Sequence, residues 1–218
     1  MNRRRPRRAS NSARDRTQGS ARSGQDGPVS SHRGPGQLRL IGGEFRRRKL
    51  AIAQSPGLRP TPDRVRETLF NWLAFDVGGK QVLDLYAGTG ALGLEALSRG
   101  ANQASFVESS AVVADALEAN IELLGANGRV HRGDAQRFLD GTPTAFDLVF
   151  LDPPFRLGLA ARTCQRLEAD DWLAARAMIY VETEHELEWQ PPDGWQLHRE
   201  IVAGESHGRL FRRTQSVD

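Results

Sequence analysis

The stretch from Gln81 to Gly93 constrains the fold of this chain more than any other. Gln81-Val82-Leu83-Asp84-Leu85 is an apolar run of strand length, and it feeds directly into Tyr86-Ala87-Gly88-Thr89-Gly90. Gly88, Gly90 and Gly93 satisfy the spacing G-x-G-x-x-G between a strand and the start of a helix. Glycine there lets the backbone turn sharply and lets a ligand approach the peptide groups. A strand that leaves its sheet through such a turn and returns as a helix belongs to a parallel α/β sheet. The rest of the chain repeats the unit. Helix 91–99 ends at Gly100, strand 104–108 precedes helix 111–124, and a short strand 129–131 leads to a small helix at 135–139. Strand 146–151 precedes a helix near 158–168, and strands follow at 177–182, 195–202 and 208–213. The expectation is an α/β fold, Rossmann-like, with helices on both faces of a mostly parallel sheet and a hairpin at its end.

Ahead of that core the composition changes twice. Residues 1–36 hold nine arginines against Asp15 and Asp26, and Val29 is their one large aliphatic residue. Such a segment buries too little surface to offset its ordering entropy, so it reads as a disordered arginine-rich tail. Residues 37–60 read as a small basic hairpin, with strand-like runs Leu38–Ile41 and Arg48–Ile52 flanking Gly42-Gly43. The α/β domain itself is expected over 61–218. Thr61-Pro62-Asp63 opens a helix there, with threonine as the cap and proline in the first position. Val65, Leu69, Phe70 and Leu73 mark its apolar face, and Arg64 and Arg66 lie off it.

Charge is segregated along the chain. The whole carries +3; residues 1–36 carry +7, residues 37–66 carry +6, and the remainder carries −10. A polyanion is therefore expected to approach from the N-terminal side. No apolar run reaches membrane-spanning length, and a single cysteine, Cys164, leaves no intramolecular disulfide. A cytoplasmic setting is expected. His32, His131, His185, His198 and His207 show no metal-ligand spacing, so no metal is expected. Glu182, Glu184 and Glu186 alternate after a strand and read as a solvated edge.

Two further carboxylates sharpen the cofactor reading. Glu108 ends the strand after the glycine turn, where it can accept both hydroxyls of a ribose. That much fits a nicotinamide dinucleotide as well. Asp84, however, sits inside the first strand, where it would repel a pyrophosphate and attract the cationic sulfonium and amino groups of S-adenosylmethionine. Asp134, after the third strand, can accept from an adenine amine.

The reacting end is Asp152-Pro153-Pro154-Phe155, directly after the buried run 146–151. The exocyclic amine of a nucleobase is a poor nucleophile, because its lone pair is delocalised into the ring. Acceptors that hold its hydrogens can turn that lone pair toward a methyl donor. Asp152 and the carbonyl of Pro153 offer such acceptors, the prolines stiffen the turn, and Phe155 offers a stacking face. The base must leave its stack to enter. Spacing alone does not choose between guanine N2 and adenine N6.

Taken together, Ile41-Gly42-Gly43, Arg46–Leu50, Ser55–Leu73, Asp84–Gly100 and Asp152–Phe155 resemble the RsmD family, bacterial methyltransferases of guanine N2 in 16S ribosomal RNA. The likeness covers about 38–213. It implies a seven-stranded S-adenosylmethionine-dependent methyltransferase fold with its last strands antiparallel. It further implies a monomeric cytoplasmic enzyme acting on guanine 966 of an assembling small subunit. On this resemblance the cofactor set is Asp84, Tyr86, Gly88, Thr89, Gly90, Glu108, Asp134 and Ala135. Asp152, Pro153 and Phe155 handle the base. The basic docking face is Arg46, Arg47, Arg48, Lys49, Arg59, Arg64 and Arg66, placed beside the active-site mouth. An adenine-N6 methyltransferase and a non-enzymatic RNA-binding assembly factor are the alternatives.

Overall fold

Apolar runs with period-two alternation become the strands of one large sheet, and the amphipathic segments between them cover it. The structure, a computed structural model, describes residues 36–55, 58 and 61–214. Residues 1–35, which include almost all of the arginine-rich tail, and Arg59 lie outside them. The elements run β1 (Gln37–Arg39), β2 (Lys49–Ala51), α1 (Asp63–Trp72), β3 (Gln81–Asp84), α2 (Ala91–Ser98), β4 (Gln103–Glu108), α3 (Ala111–Leu124), β5 (Gly128–Arg132) and α4 (Ala135–Leu139). They continue with β6 (Phe146–Leu151), α5 (Leu159–Ala169), β7 (Leu173–Glu184), β8 (Trp195–Ala203) and β9 (Ser206–Arg213).

The seven-stranded sheet has the order β5-β4-β3-β6-β7-β9-β8. Strands β3 to β7 pair in parallel, and β9 runs antiparallel to both β7 and β8. The single reversed strand is therefore β9, inserted between β7 and β8. The strand order reverses between β3 and β6, and crevices at such a switch point are where open α/β sheets hold ligands.

Alternation along the strands sorts the core into two layers. Val82, Leu148, Phe150, Tyr180 and Leu210 face one layer, which also contains Leu69 and Phe70 of α1, Leu94 of α2 and the hairpin residues Leu38, Leu40 and Leu50. Leu83, Val149, Leu151, Ile179, Val181 and Phe211 face the other, against Cys164 and Leu167 of α5. The β1–β2 hairpin is a separate two-stranded sheet, yet its apolar side is buried in the first layer, within the compact unit Gly34–Asp218. Cys164 is fully buried. Among the described residues no helix is long and apolar enough to cross a membrane.

Three local expectations are corrected. The residue capping α1 is Pro62, with no side-chain cap bond, so Thr61 stands one position outside the cap. Strand β7 runs on to Glu184, so Glu182 lies within the sheet and is only 5% exposed, not solvated. Arg66 is 1% exposed. Its guanidinium donates to the carbonyls of Thr61 and Arg39 and to Asp63, because the turn of α1 that carries it faces the hairpin rather than solvent. It is a structural tie and cannot meet a phosphate.

Candidate active site

The glycine turn leaves β3 at the switch point. Gly88 and Gly90 both have positive φ, 50° and 74°, a backbone region costly for residues with a Cβ. At Gly90 a Cβ would also fall on the Leu117 side chain of α3. Glu108, at the end of β4, reaches back across this turn. Its Oε2 accepts from the Gly88 N–H at 2.9 Å and its Oε1 from the Ser110 N–H at 2.6 Å. The carboxylate is thus aimed before any ligand arrives, with lone pairs left for a diol. Asp134 caps α4, its Oδ1 accepting from the N–H groups of Gln136 and Arg137. Ala135 is buried behind it, and Thr89 is buried in the turn. The hydroxyl of Tyr86 pairs with Thr163 at 3.0 Å and accepts from Gln136 at 3.3 Å, on the α4–α5 side. Leu58 lies against Gly88, where an added Cβ would stand 3.2 Å from its Cδ1. A cavity of about 600 Å³ opens at Leu58 and is walled by Gly36, Gln37 and Ile52–Ser55.

Asp84 occupies the last position of β3 and is buried. Its Oδ2 accepts from the Gly93 N–H at 2.9 Å. Burial pushes its carboxyl up to about 7; the Gly93 bond opposes that rise and the neighbouring Glu108 adds to it. A buried acid poised near neutrality, beside a glycine turn and an aimed glutamate, fits a cationic amine or sulfonium.

Asp152 stands one residue past β6. Burial, then the carboxylates of Glu182 and Asp84, hold its carboxyl well above the usual range. Pro153 is buried, Phe155 half-buried and Pro154 exposed, so the turn presents Asp152 and the Phe155 ring while Pro153 anchors it. Beyond the turn, Arg156 takes a positive φ of 63° and its N–H donates to Glu184 Oε1 at 3.1 Å. This ties the end of the loop to β7. Asp84, Asp152, Glu108 and Gly88 therefore meet at one edge of the sheet. Two residues in the neighbourhood were not anticipated. Glu182 reads in sequence as one of an alternating exposed set, and Arg156 as an isolated loop charge.

The basic turn between β1 and β2 is displaced from that edge. Arg46, Arg47, Arg48 and Lys49 are all exposed, as is Arg64 on α1. But the Glu44 N–H donates to the Ser98 carbonyl at 2.7 Å and the Phe45 N–H to Ser98 Oγ at 2.9 Å, at the C-terminal end of α2. Helix α2 starts at the glycine turn and runs back along the sheet, so eight residues put the basic turn about 12 Å away from the cofactor end. Placement beside the mouth is thus corrected. A tight connection at Gly42-Gly43, where a Cβ on Gly43 would overlap the Ser98 carbonyl, sets the position.

Among the described residues no group of three or more His, Cys, Asp or Glu is arranged to hold a metal ion. Residues 38–212 match the protein family described as Conserved hypothetical protein 95. The chain is 51% identical to the Ribosomal RNA small subunit methyltransferase D of Escherichia coli (strain K12) over 185 residues, 84% of this chain and 93% of that protein. It is 41% identical to the protein of the same name from Haemophilus influenzae, over 81% of this chain and 94% of that one. Against the solved structure of the Escherichia coli protein yhhF the TM-score is 0.77 at 50% identity, covering 83% of this chain and all of that one.

Proposed function

As the chain belongs to the Conserved hypothetical protein 95 family, whose matched relatives are named as small-subunit ribosomal RNA methyltransferases, we propose that it methylates the exocyclic N2 of a guanine in 16S ribosomal RNA. The position is guanine 966 and the methyl donor is S-adenosylmethionine. The observation that carries this reading is the meeting of Asp84 and Asp152 at the switch point, one ending the strand that enters the glycine turn and one on the base turn.

S-adenosylmethionine supplies an electrophilic methyl group on a sulfonium. Glu108 takes the ribose hydroxyls, Asp134 the adenine amine, and the peptide groups of Tyr86–Gly90 line the approach. Thr89 and Ala135 pack that wall. Asp84 in its ionised form offsets the positive charge of the ligand. On the other side of the edge, Asp152 and the Pro153 carbonyl accept the two hydrogens of the guanine amine. Holding them rotates the nitrogen lone pair out of conjugation and toward the methyl carbon. With the methyl donor bound, transfer would place positive charge on the guanine nitrogen, and the Asp152 carboxyl in its ionised form would stabilise that charge. One amine proton then leaves through that carboxylate. Phe155 holds the extruded base by its face.

The basic turn Arg46–Lys49 and Arg64 meet phosphates of the surrounding rRNA, about a helix length from the target base. The enzyme works as a monomer in the cytoplasm, on an assembling small subunit. Methyl transfer to small subunits from a strain lacking the gene, followed by nucleoside mass analysis, tests this. N2-methylguanosine is the expected product; N6-methyladenosine, or no transfer at all, refutes it.

A further inference from the structure

Parallel register carries the buried polar residues of this sheet into rows. Asp84 pairs with Phe150, Phe150 with Tyr180, and Tyr180 with Leu210. One step toward the edge, Glu182 pairs with Gly208, and Asp152, one residue past the last β6–β7 pair Leu151–Val181, lies close enough for its carboxyl to feel the Glu182 charge. The Tyr180 hydroxyl, fully buried, donates to Glu182 Oε2 at 3.0 Å. Gly208 is what makes that bond possible, since a Cβ there would overlap the Tyr180 hydroxyl. Tyr180 on β7, given room by Gly208 on β9, thus holds one oxygen of a 5%-exposed carboxylate. No described basic side chain pairs with it. A buried carboxylate without a cation is costly, and it persists where a ligand supplies the missing donors.

The chemistry of a guanine edge matches this pair. Guanine presents an N1–H beside its N2 amine, two adjacent donors. Adenine presents an acceptor at N1 beside its amine. Asp152 alone, reading only the amine, does not separate them. Resting on the guanine reading above, we propose that Glu182, aimed by Tyr180, is a specificity-determining residue that accepts the N1–H of the target guanine while Asp152 accepts from its amine. A base with an acceptor at N1 meets a buried carboxylate with no hydrogen between them, which a site built for a donor rejects strongly.

The test substitutes 2-aminopurine for the target guanine in 16S rRNA, by ligation, before assembly into subunits. This base keeps the N2 amine but carries an acceptor at N1. It also lacks O6, a loss common to every enzyme compared, so it cancels in a ratio of ratios. The wild-type enzyme should prefer guanine. Glu182→Gln can turn an amide N–H toward N1, so its guanine-to-2-aminopurine ratio of kcat/KM should fall by about tenfold or more. Its affinity for S-adenosylmethionine should stay within about twofold. Tyr180→Phe keeps the carboxylate but frees it, and should lower the same ratio by a smaller factor. If Glu182→Gln does not fold, as melting and cofactor titration would reveal, the Tyr180→Phe ratio decides. Equal losses on both bases, with the ratio unchanged, would overturn the assignment and leave Glu182 a packing residue. A wild-type enzyme that makes no N2-methylguanosine overturns the parent reading instead.

Discussion

Asp152 and Asp84 face the same crevice from neighbouring strands but answer to different ligands, so their substitutions should separate. Asp152→Ala removes an acceptor for the base and leaves the glycine turn intact. Turnover should drop by about a hundredfold or more while calorimetric affinity for S-adenosylmethionine holds; parallel loss of both would place Asp152 on the cofactor side. Glu108→Ala removes a carboxylate already aimed by two backbone N–H groups. It should weaken cofactor binding by about 1.5–3 kcal/mol, the range for hydrogen bonds to a charged group. Asp84 gives a pH signature. Its folded carboxyl is raised to about 7, so below that value the native protein holds a proton there that an unfolded chain releases nearer 4. This group therefore favours the fold at low pH, and that contribution is lost as pH rises through about 7. A cationic ligand reverses the preference by stabilising the ionised form. Affinity for S-adenosylmethionine should rise from pH 6 to pH 8, with proton release on binding near pH 6.5. Titration in buffers of different ionisation enthalpy would detect it, and a flat profile would argue against contact between Asp84 and the ligand's charge.

At the scale of elements, the hairpin and helix α2 behave as one piece. Glu95, fully buried in α2, accepts from the N–H groups of Ile41 and Gly42, both at 2.8 Å, and from Arg99 Nε at 2.8 Å. Arg66 Nη1 stands 3.8 Å from it, the cation that balances the hub from α1. Ser98 adds a bond to the Gly42 carbonyl. Removing the central carboxylate orphans two half-buried N–H groups and leaves Arg66 with Asp63 as its one remaining carboxylate partner. Glu95→Ala should cost about 3–5 kcal/mol and lower the melting temperature by roughly 10 °C or more. Glu95→Gln should cost less, since it keeps an acceptor. Equal melting of wild type and Glu95→Ala would mean the hairpin is held by its leucines alone. In sequence Glu95 is an acid in an apolar helix and Arg66 one basic residue among many. Each is intelligible only with the other, 29 positions away.

Across the whole molecule, charge and chemistry sit at different ends of α2, so RNA must span that length to satisfy both. Changing Arg46, Arg47 and Arg48 together to Ala should weaken RNA binding and flatten its log–log salt dependence by roughly one unit per lost phosphate contact. Cofactor affinity should be unchanged, because those side chains do not reach the glycine turn. Adding Arg66→Ala should change stability and leave the salt slope alone, since that guanidinium is internal. An unaltered slope in the triple variant would move the docking surface elsewhere. The alternation of apolar runs and glycine turns was enough to predict the α/β class, the helix boundaries to within about two residues and the neighbourhood of Gly88, Glu108 and Asp152. Those features follow from local periodicity and turn chemistry, which a linear chain already carries. Three things needed the folded sheet. They are the burial of Arg66 and Glu182, the distance of the basic turn from the site, and the closeness of Asp152 to Glu182 across β6 and β7. Each depends on which strand lies next to which and in what register. Register comes from packing between segments far apart in the chain, so no window of sequence contains it.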